Sequence, residues 1–411
     1  MWDRCTFLRV GLVCICAASF SSCEKEAEQV SLEKDLALDK TNDLSTLSPK
    51  AQLGKLIFFD ANLSEPGNGA LLVQACASCH MPSQGFAGFS DSPLGMIPRG
   101  FAAGFAEGAV AGKIGGRRPP SAAYATFSPK LQESSGGFKG GLFWDGRATG
   151  NRLGSPAAEQ ALGPFLNPVE QNVHDALAIL QRMQADPNKY STLWPQVWGS
   201  RISTATQKDI DLNYDRVGLS IAAYEASNEV NKFSSKYDRY LKGQAALTSA
   251  EANGFALFTG QADCNRCHSE KSENGNPPLF TDFSYHNIGA PKNNSWAAPS
   301  SIDFGLGGFL QKLGPSNPWY VRADENLGKF KTPTLRNVAK GAGTKRFMHN
   351  GTFRTLEEVV HFYNTRDEPG AGWPAPEVGM NLSTSSRLGR LRLTSREEAD
   401  LVAFIKTLSD D

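Results

Sequence analysis

Two pentapeptides, Cys76-Ala77-Ser78-Cys79-His80 and Cys264-Asn265-Arg266-Cys267-His268, decide how this chain folds. Two thiols separated by two residues meet the two vinyl groups of a haem, and the histidine that follows lies under the ring with its imidazole available to iron. Each pentapeptide therefore predicts one covalently attached c-type haem. Zinc is the competing reading of a Cys-x-x-Cys pair, but zinc needs further ligands to close a tetrahedral shell. The other cysteines, Cys5, Cys14, Cys16 and Cys23, all precede residue 24 and offer no second pair beside either motif.

The body of the chain is thus left without thiols for disulfides. Residues 1–23 read as a signal peptide: Arg4 and Arg9 make a basic start, residues 10–20 form an apolar run short for a bilayer, and small residues follow. Phe20-Ser21-Ser22-Cys23 resembles a bacterial lipobox, in which Cys23 becomes a lipidated N-terminus and residues 24–47 a flexible tether. A plain secretory signal is the other reading. Both predict a periplasmic or otherwise extracytoplasmic protein, in contact with a membrane only through an anchor at Cys23.

The 42 basic and 42 acidic residues balance to zero net charge, which offers nucleic acid no basic surface. About 390 residues remain after the signal, enough for two domains with cores of their own. The chain has 40 glycines and 23 prolines, and long stretches such as residues 85–116 and 274–314 are rich in them, read either as loops closing over a cofactor or as linkers. A weak repeat precedes the two haem motifs. Ser48-Pro49-Lys50-Ala51-Gln52-Leu53-Gly54 and Thr248-Ser249-Ala250-Glu251-Ala252-Asn253-Gly254 each open with an N-cap residue and continue at helical spacing. Further helices are expected over 217–224, 174–183, 356–363 and 396–408. Strand-like alternation is scarce, so the expected fold is mainly α: two cytochrome c-like domains, 48–212 and 213–411, with long loops and one haem each.

Other stretches carry a family resemblance. Phe143-Trp144-Asp145-Gly146-Arg147-Ala148, Gln160-Ala161-Leu162-Gly163-Pro164, Asn167-Pro168-Val169-Glu170, His286-Asn287-Ile288-Gly289, Lys331-Thr332-Pro333-Thr334-Leu335-Arg336-Asn337-Val338 and His349-Asn350-Gly351 occur in order. From about residue 47 to the end, the chain resembles the bacterial di-haem cytochrome c peroxidase superfamily, including its MauG-like branch. The resemblance implies that hydrogen peroxide reacts at the haem of His80, while the haem of His268 stores and relays electrons. Glu170 matches the family's acid-base carboxylate, and Gln160 and Pro164 line the same pocket. Trp144 matches the indole between the two haems, and Arg147 is a candidate partner for a haem propionate. The remaining partner is an electron-donor protein or a protein substrate. A non-catalytic di-haem electron carrier is the alternative, and it predicts two haems with both faces occupied.

Departures from the family pattern bear on the branch. Family members that rest inactive place a His shortly before an Arg-Asn-x-Pro element, but residues 107–116, ahead of Arg117-Arg118-Pro119-Pro120, contain none. An open first haem is expected, with His174 read as a helix-surface residue. Fourteen residues after the His of His-x-Gly, the MauG-like branch places a Tyr where other members place a Met; counting from His349 gives Tyr363. As iron ligand, a phenolate is a hard, anionic donor that lowers the haem's potential. Met348 is the other candidate. The family's calcium site takes an Asn side chain from the position of Arg118 and backbone carbonyls from a Thr-x-Pro, where this chain has Thr344-Lys345-Arg346. A guanidinium cannot coordinate a cation, so calcium is expected to be absent or held at Thr344 and Arg346 without that side chain.

Overall fold

In the computed structural model the longer helices are α1 (Pro49–Phe58), α2 (Pro156–Leu166), α3 (Ala176–Ala185), α4 (Gln207–Glu225), α5 (Ser249–Thr259), α6 (Gly305–Lys312), α7 (Leu356–Thr365) and α8 (Ser395–Lys406). The structure describes residues 47–67, 73–89, 101–134, 136–273, 275–341, 343–384 and 387–411. The expected signal segment, Cys23 and residues 24–46 of the tether lie outside the described residues. Among the described residues no helix is long and apolar enough to cross a membrane.

The repeat seen in sequence is a repeat in packing. Ser48 caps α1 by accepting from the Ala51 amide at 3.2 Å, with Pro49 at the first helical position. Thr248 caps α5 through a reciprocal box: it accepts from the Glu251 amide, and the Glu251 carboxylate accepts from the Thr248 amide at 2.7 Å. Six residues on, each helix carries a glycine. A β-carbon at Gly54 would overlap the Ser220 carbonyl of α4, and one at Gly254 would overlap the Asp400 carbonyl of α8. Both crossings therefore bring backbones closer than any side chain permits.

Helix α4 packs on α1 and α2, and Phe58 meets Tyr224 edge-on at 5.4 Å. The expected boundary between residues 212 and 213 falls inside this helix, whose hydrogen bonds run unbroken to Glu225. Residues Leu47–Asp411 form one compact unit. Around α5 and α8, Phe258, Phe280, Phe362, Phe404 and Leu408 are fully buried in one cluster.

Strands are short, as their scarcity in the sequence predicts. Three antiparallel pairs join β1 (Phe101–Ala102) to β2 (Phe105–Ala106), β3 (Gln132–Ser134) to β4 (Gly137–Lys139), and β5 (Tyr285–His286) to β6 (Phe330–Lys331). The last pair, in register Tyr285↔Lys331, holds the loop that carries Trp144. The Lys331 amide donates to the Trp144 carbonyl at 2.9 Å, and the Tyr285 hydroxyl donates to the Gly140 carbonyl at 2.6 Å. Loop closure is also ionic: Arg336 forks onto Asp238 at 2.8 and 2.9 Å with both side chains out of water.

Candidate active site

Each pentapeptide opens a cavity. Residues Cys76–Cys79 make one helical turn ending at His80, whose Nδ1 lies 3.2 Å from the Phe86 carbonyl. A carbonyl only accepts, so Nδ1 carries the proton and Nε2 keeps its lone pair for a metal. His268 repeats the arrangement on the Phe280 carbonyl at 2.9 Å. Burial lowers the pKa of both imidazoles, favouring the neutral ring that binds iron. None of the four cysteines is in a disulfide, and burial pushes the thiols of Cys76, Cys79 and Cys264 up to about 12. Half-buried sulfurs in surroundings that disfavour a thiolate suit thioethers, which carry no charge. The cavities measure about 720 Å³ around His80 and about 510 Å³ around His268. Donors, spacing and room therefore fit two thioether-linked haems.

Gln160, Pro164, Glu170, Arg147 and Trp144 all line the first cavity. Gln160 and Pro164 project from α2, which ends at Leu166. Glu170 sits in the turn beyond it, where its amide donates to the Asn167 carbonyl at 3.0 Å and its carbonyl accepts from Ala109 at 2.6 Å. The next helix, α3, begins only at Ala176. Burial raises its pKa, opposed by Arg147 and by the Asn167 side chain. Arg147 binds Asp145 at 2.9 Å and stacks over Phe143 at 3.7 Å. His80 is the one imidazole among the described residues lining this cavity; His174 is two-thirds exposed and bonded to Glu65 at 3.1 Å.

In the second cavity, Tyr363 on α7 and Met348 share the wall with Cys264, Cys267 and His268. Among the described residues the Tyr363 hydroxyl finds no hydrogen-bond partner, and burial raises its pKa. Trp144, 6 % exposed, lines both cavities. Its Nε1 donates to the Arg118 carbonyl at 2.8 Å, and its ring lies 6.5 Å from that of His349, itself stacked on Phe330 at 3.5 Å.

The seam of the doubtful calcium position is lined by basic side chains. Arg118, Lys345 and Arg346 line one small cavity of about 80 Å³, while Thr344 is exposed and donates its hydroxyl to the Gly341 carbonyl at 2.7 Å. Guanidinium and amine side chains offer a cation no oxygen, so they do not suit a site that needs six or more.

A family model described as di-haem cytochrome c peroxidase matches residues 48–246. Over 374 residues the chain is 34% identical to the methylamine utilization protein MauG of Paracoccus denitrificans, a match covering 88% of each chain. The chain belongs to the di-haem cytochrome c peroxidase family. It is 29% identical over 373 residues to the cytochrome-c peroxidase IdrP1 of Denitromonas iodatirespirans, covering 88% of this chain and 81% of that one. Among solved structures it superposes on the di-haem peroxidase BthA of Burkholderia thailandensis with a TM-score of 0.71 and 32% identity, covering 89% and 87% of the two chains. The fold is thus the di-haem cytochrome c peroxidase fold, and the protein is an enzyme, an oxidoreductase of that family.

Two further features of this di-haem peroxidase escape its sequence. Glu225, at the end of α4, is 7 % exposed and lines the first cavity, where burial alone pushes it up to about 8. Glu377 lines both cavities, accepting from Asn350 at 3.1 Å with His349 Nε2 at 3.6 Å. Neither lies in a recognisable motif, and only the loop and helix crossings bring them to the cavity walls.

Proposed function

We propose that this enzyme reduces hydrogen peroxide in the His80 cavity and draws the electrons from a donor through Trp144 and the His268 site. Bound haem supplies the redox-active iron at each site. One observation carries the reading: His80, the one imidazole among the described residues there, and the half-buried carboxyl of Glu170 share one cavity, and Trp144 lines both it and the next. Glu170 takes the proton from one peroxide oxygen and returns it to the departing oxygen as water forms, which a carboxyl with a raised pKa does at neutral pH. Gln160 and Pro164 orient the peroxide against it. Trp144, held by its bond to Arg118, offers an electron-rich indole from which an electron leaves toward either cavity. Tyr363 is the protein ligand we assign opposite His268, with Met348 next in line. The donor is a small redox protein or a protein side chain, since the relatives are named both for cytochrome c peroxidase and for methylamine utilization.

The same reading assigns residues 1–23 to export and Cys23 to lipid attachment outside the cytoplasm. It divides the mature protein into an N-terminal peroxidatic region and a C-terminal electron-transfer region. Stopped-flow mixing of the holoprotein, both haems oxidised, with peroxide tests the central claim. Rapid spectral change that slows in Glu170→Gln is the expected result. A spectrum unmoved by peroxide would make the protein an electron carrier instead.

A further inference from the structure

Arg118 lines the first cavity, the second and the small third one. Its backbone is pinned, the amide donating to the His349 carbonyl at 2.9 Å and the carbonyl accepting from Trp144. The guanidinium reaches only main-chain oxygens, Met348 at 3.0 Å and Pro119 at 3.5 Å. Its neighbour Arg117 is matched by carboxylates, Asp303 through Nε at 2.6 Å and Nη2 at 2.7 Å, and Asp145 through Nη1 at 2.6 Å. Among the described residues no carboxylate does this for Arg118, and burial alone pulls its guanidinium down to about 10. Lys345, buried and bonded through Nζ to the Asn337 carbonyl at 2.8 Å, also lines the third cavity, and burial together with the nearby Arg118 pulls its amine down to about 7.

A guanidinium half-withdrawn from water, facing three cavities with no carboxylate on it, favours an anion beside it. The two cofactors for which the cavities are shaped each carry two propionate carboxylates, and an arginine fork matches a carboxylate through paired hydrogen bonds. Positive charge at this seam is also what a divalent cation would provide, and the basic side chains here offer one no oxygen ligand.

We propose that Arg118 is the built-in cation of the seam: it binds propionate carboxylates of the haems, stands in place of a divalent ion, and raises the reduction potentials of both sites. The inference rests on the two-haem reading, not on the reaction with peroxide. Its guanidinium carbon lies 5.4 Å from the centre of the Trp144 ring, so the same charge makes electron loss from that indole harder.

Metal analysis and spectroelectrochemical titration of the holoprotein, before and after EDTA dialysis and after added calcium chloride, test the proposal. Sub-stoichiometric calcium and midpoint potentials that neither EDTA nor calcium moves are expected. Arg118→Met should shift both potentials negative, because a neutral side chain no longer opposes the extra positive charge of ferric iron, and Arg118→Lys should recover most of the shift. If Arg118→Met attaches haem poorly, the Arg118→Lys titration and the calcium analysis still decide. Stoichiometric calcium whose removal moves the potentials, or wild-type potentials in Arg118→Met, overturns the proposal. No peroxide enters these measurements, so a failure here is distinct from a failure of the peroxidase reading.

Discussion

Trp144 and Arg118 hold each other twice: the indole Nε1 donates to the Arg118 carbonyl at 2.8 Å, and the Arg118 guanidinium carbon lies 5.4 Å from the indole centre. Because Trp144 lines both cavities, this pair sets the position and the electronic character of the one side chain through which we route electrons.

Trp144→Phe should therefore uncouple the two sites. Phenylalanine fills most of the space but leaves the Arg118 carbonyl without its donor, a loss of about 1–3 kcal/mol in stability. In rapid mixing, the first optical change with peroxide should keep its rate, while oxidation of an added donor slows. Donor turnover at the wild-type rate would move the electron path elsewhere.

Glu170→Gln should slow the reaction with peroxide by about a hundredfold or more, the usual share of a positioned acid-base group. Haem content should be unchanged, since Glu170 is distant in sequence from both attachment motifs and bonds to neither. For wild type, the acid limb of the pH–rate profile should lie above the ordinary carboxylate range, because burial raises the pKa of Glu170. The same shift has a sign for stability. Between the unfolded and the raised folded pKa, the folded state keeps a proton that the unfolded state has lost, so stability falls as pH rises through that window. Glu170→Gln should flatten that fall in thermal melts taken across the window.

Tyr363→His tests the assignment of the second axial ligand. A neutral imidazole stabilises ferric iron less than an anionic phenolate oxygen does, so the potential of the second site should rise. Peroxide should still react at the first site. Wild-type spectrum and potential in this variant would point to Met348, which lines the same cavity.

Gly54→Ala and Gly254→Ala should each destabilise by about 1–3 kcal/mol, the typical cost of overpacking, because the new β-carbon meets a backbone carbonyl that cannot turn aside. Thermal denaturation of the holoproteins measures it. Unchanged melting in either variant would show that its helix crossing can open.

What the sequence alone determined is local. The pentapeptides carry thiols and imidazole within one turn, so haem attachment needs no knowledge of the fold, and the caps Ser48 and Thr248 act on amides three residues away. Gly54 and Gly254 were visible as a repeat, though their reason, two close helix crossings, was not. Tyr363, Glu170 and Trp144 were reached through resemblance; their cavities depend on loops that close across the whole chain. The expected boundary at residue 212 falls inside α4, which runs from Gln207 to Glu225. Arg118 shows what only tertiary structure decides. In sequence it is one of two adjacent arginines, set apart only by standing where the family places an Asn. In space Asp303 and Asp145 neutralise Arg117, while Arg118 turns to the Met348 carbonyl and faces both cavities. Those partners come from segments far along the chain, and the burial that gives the charge its meaning exists only once these segments have packed.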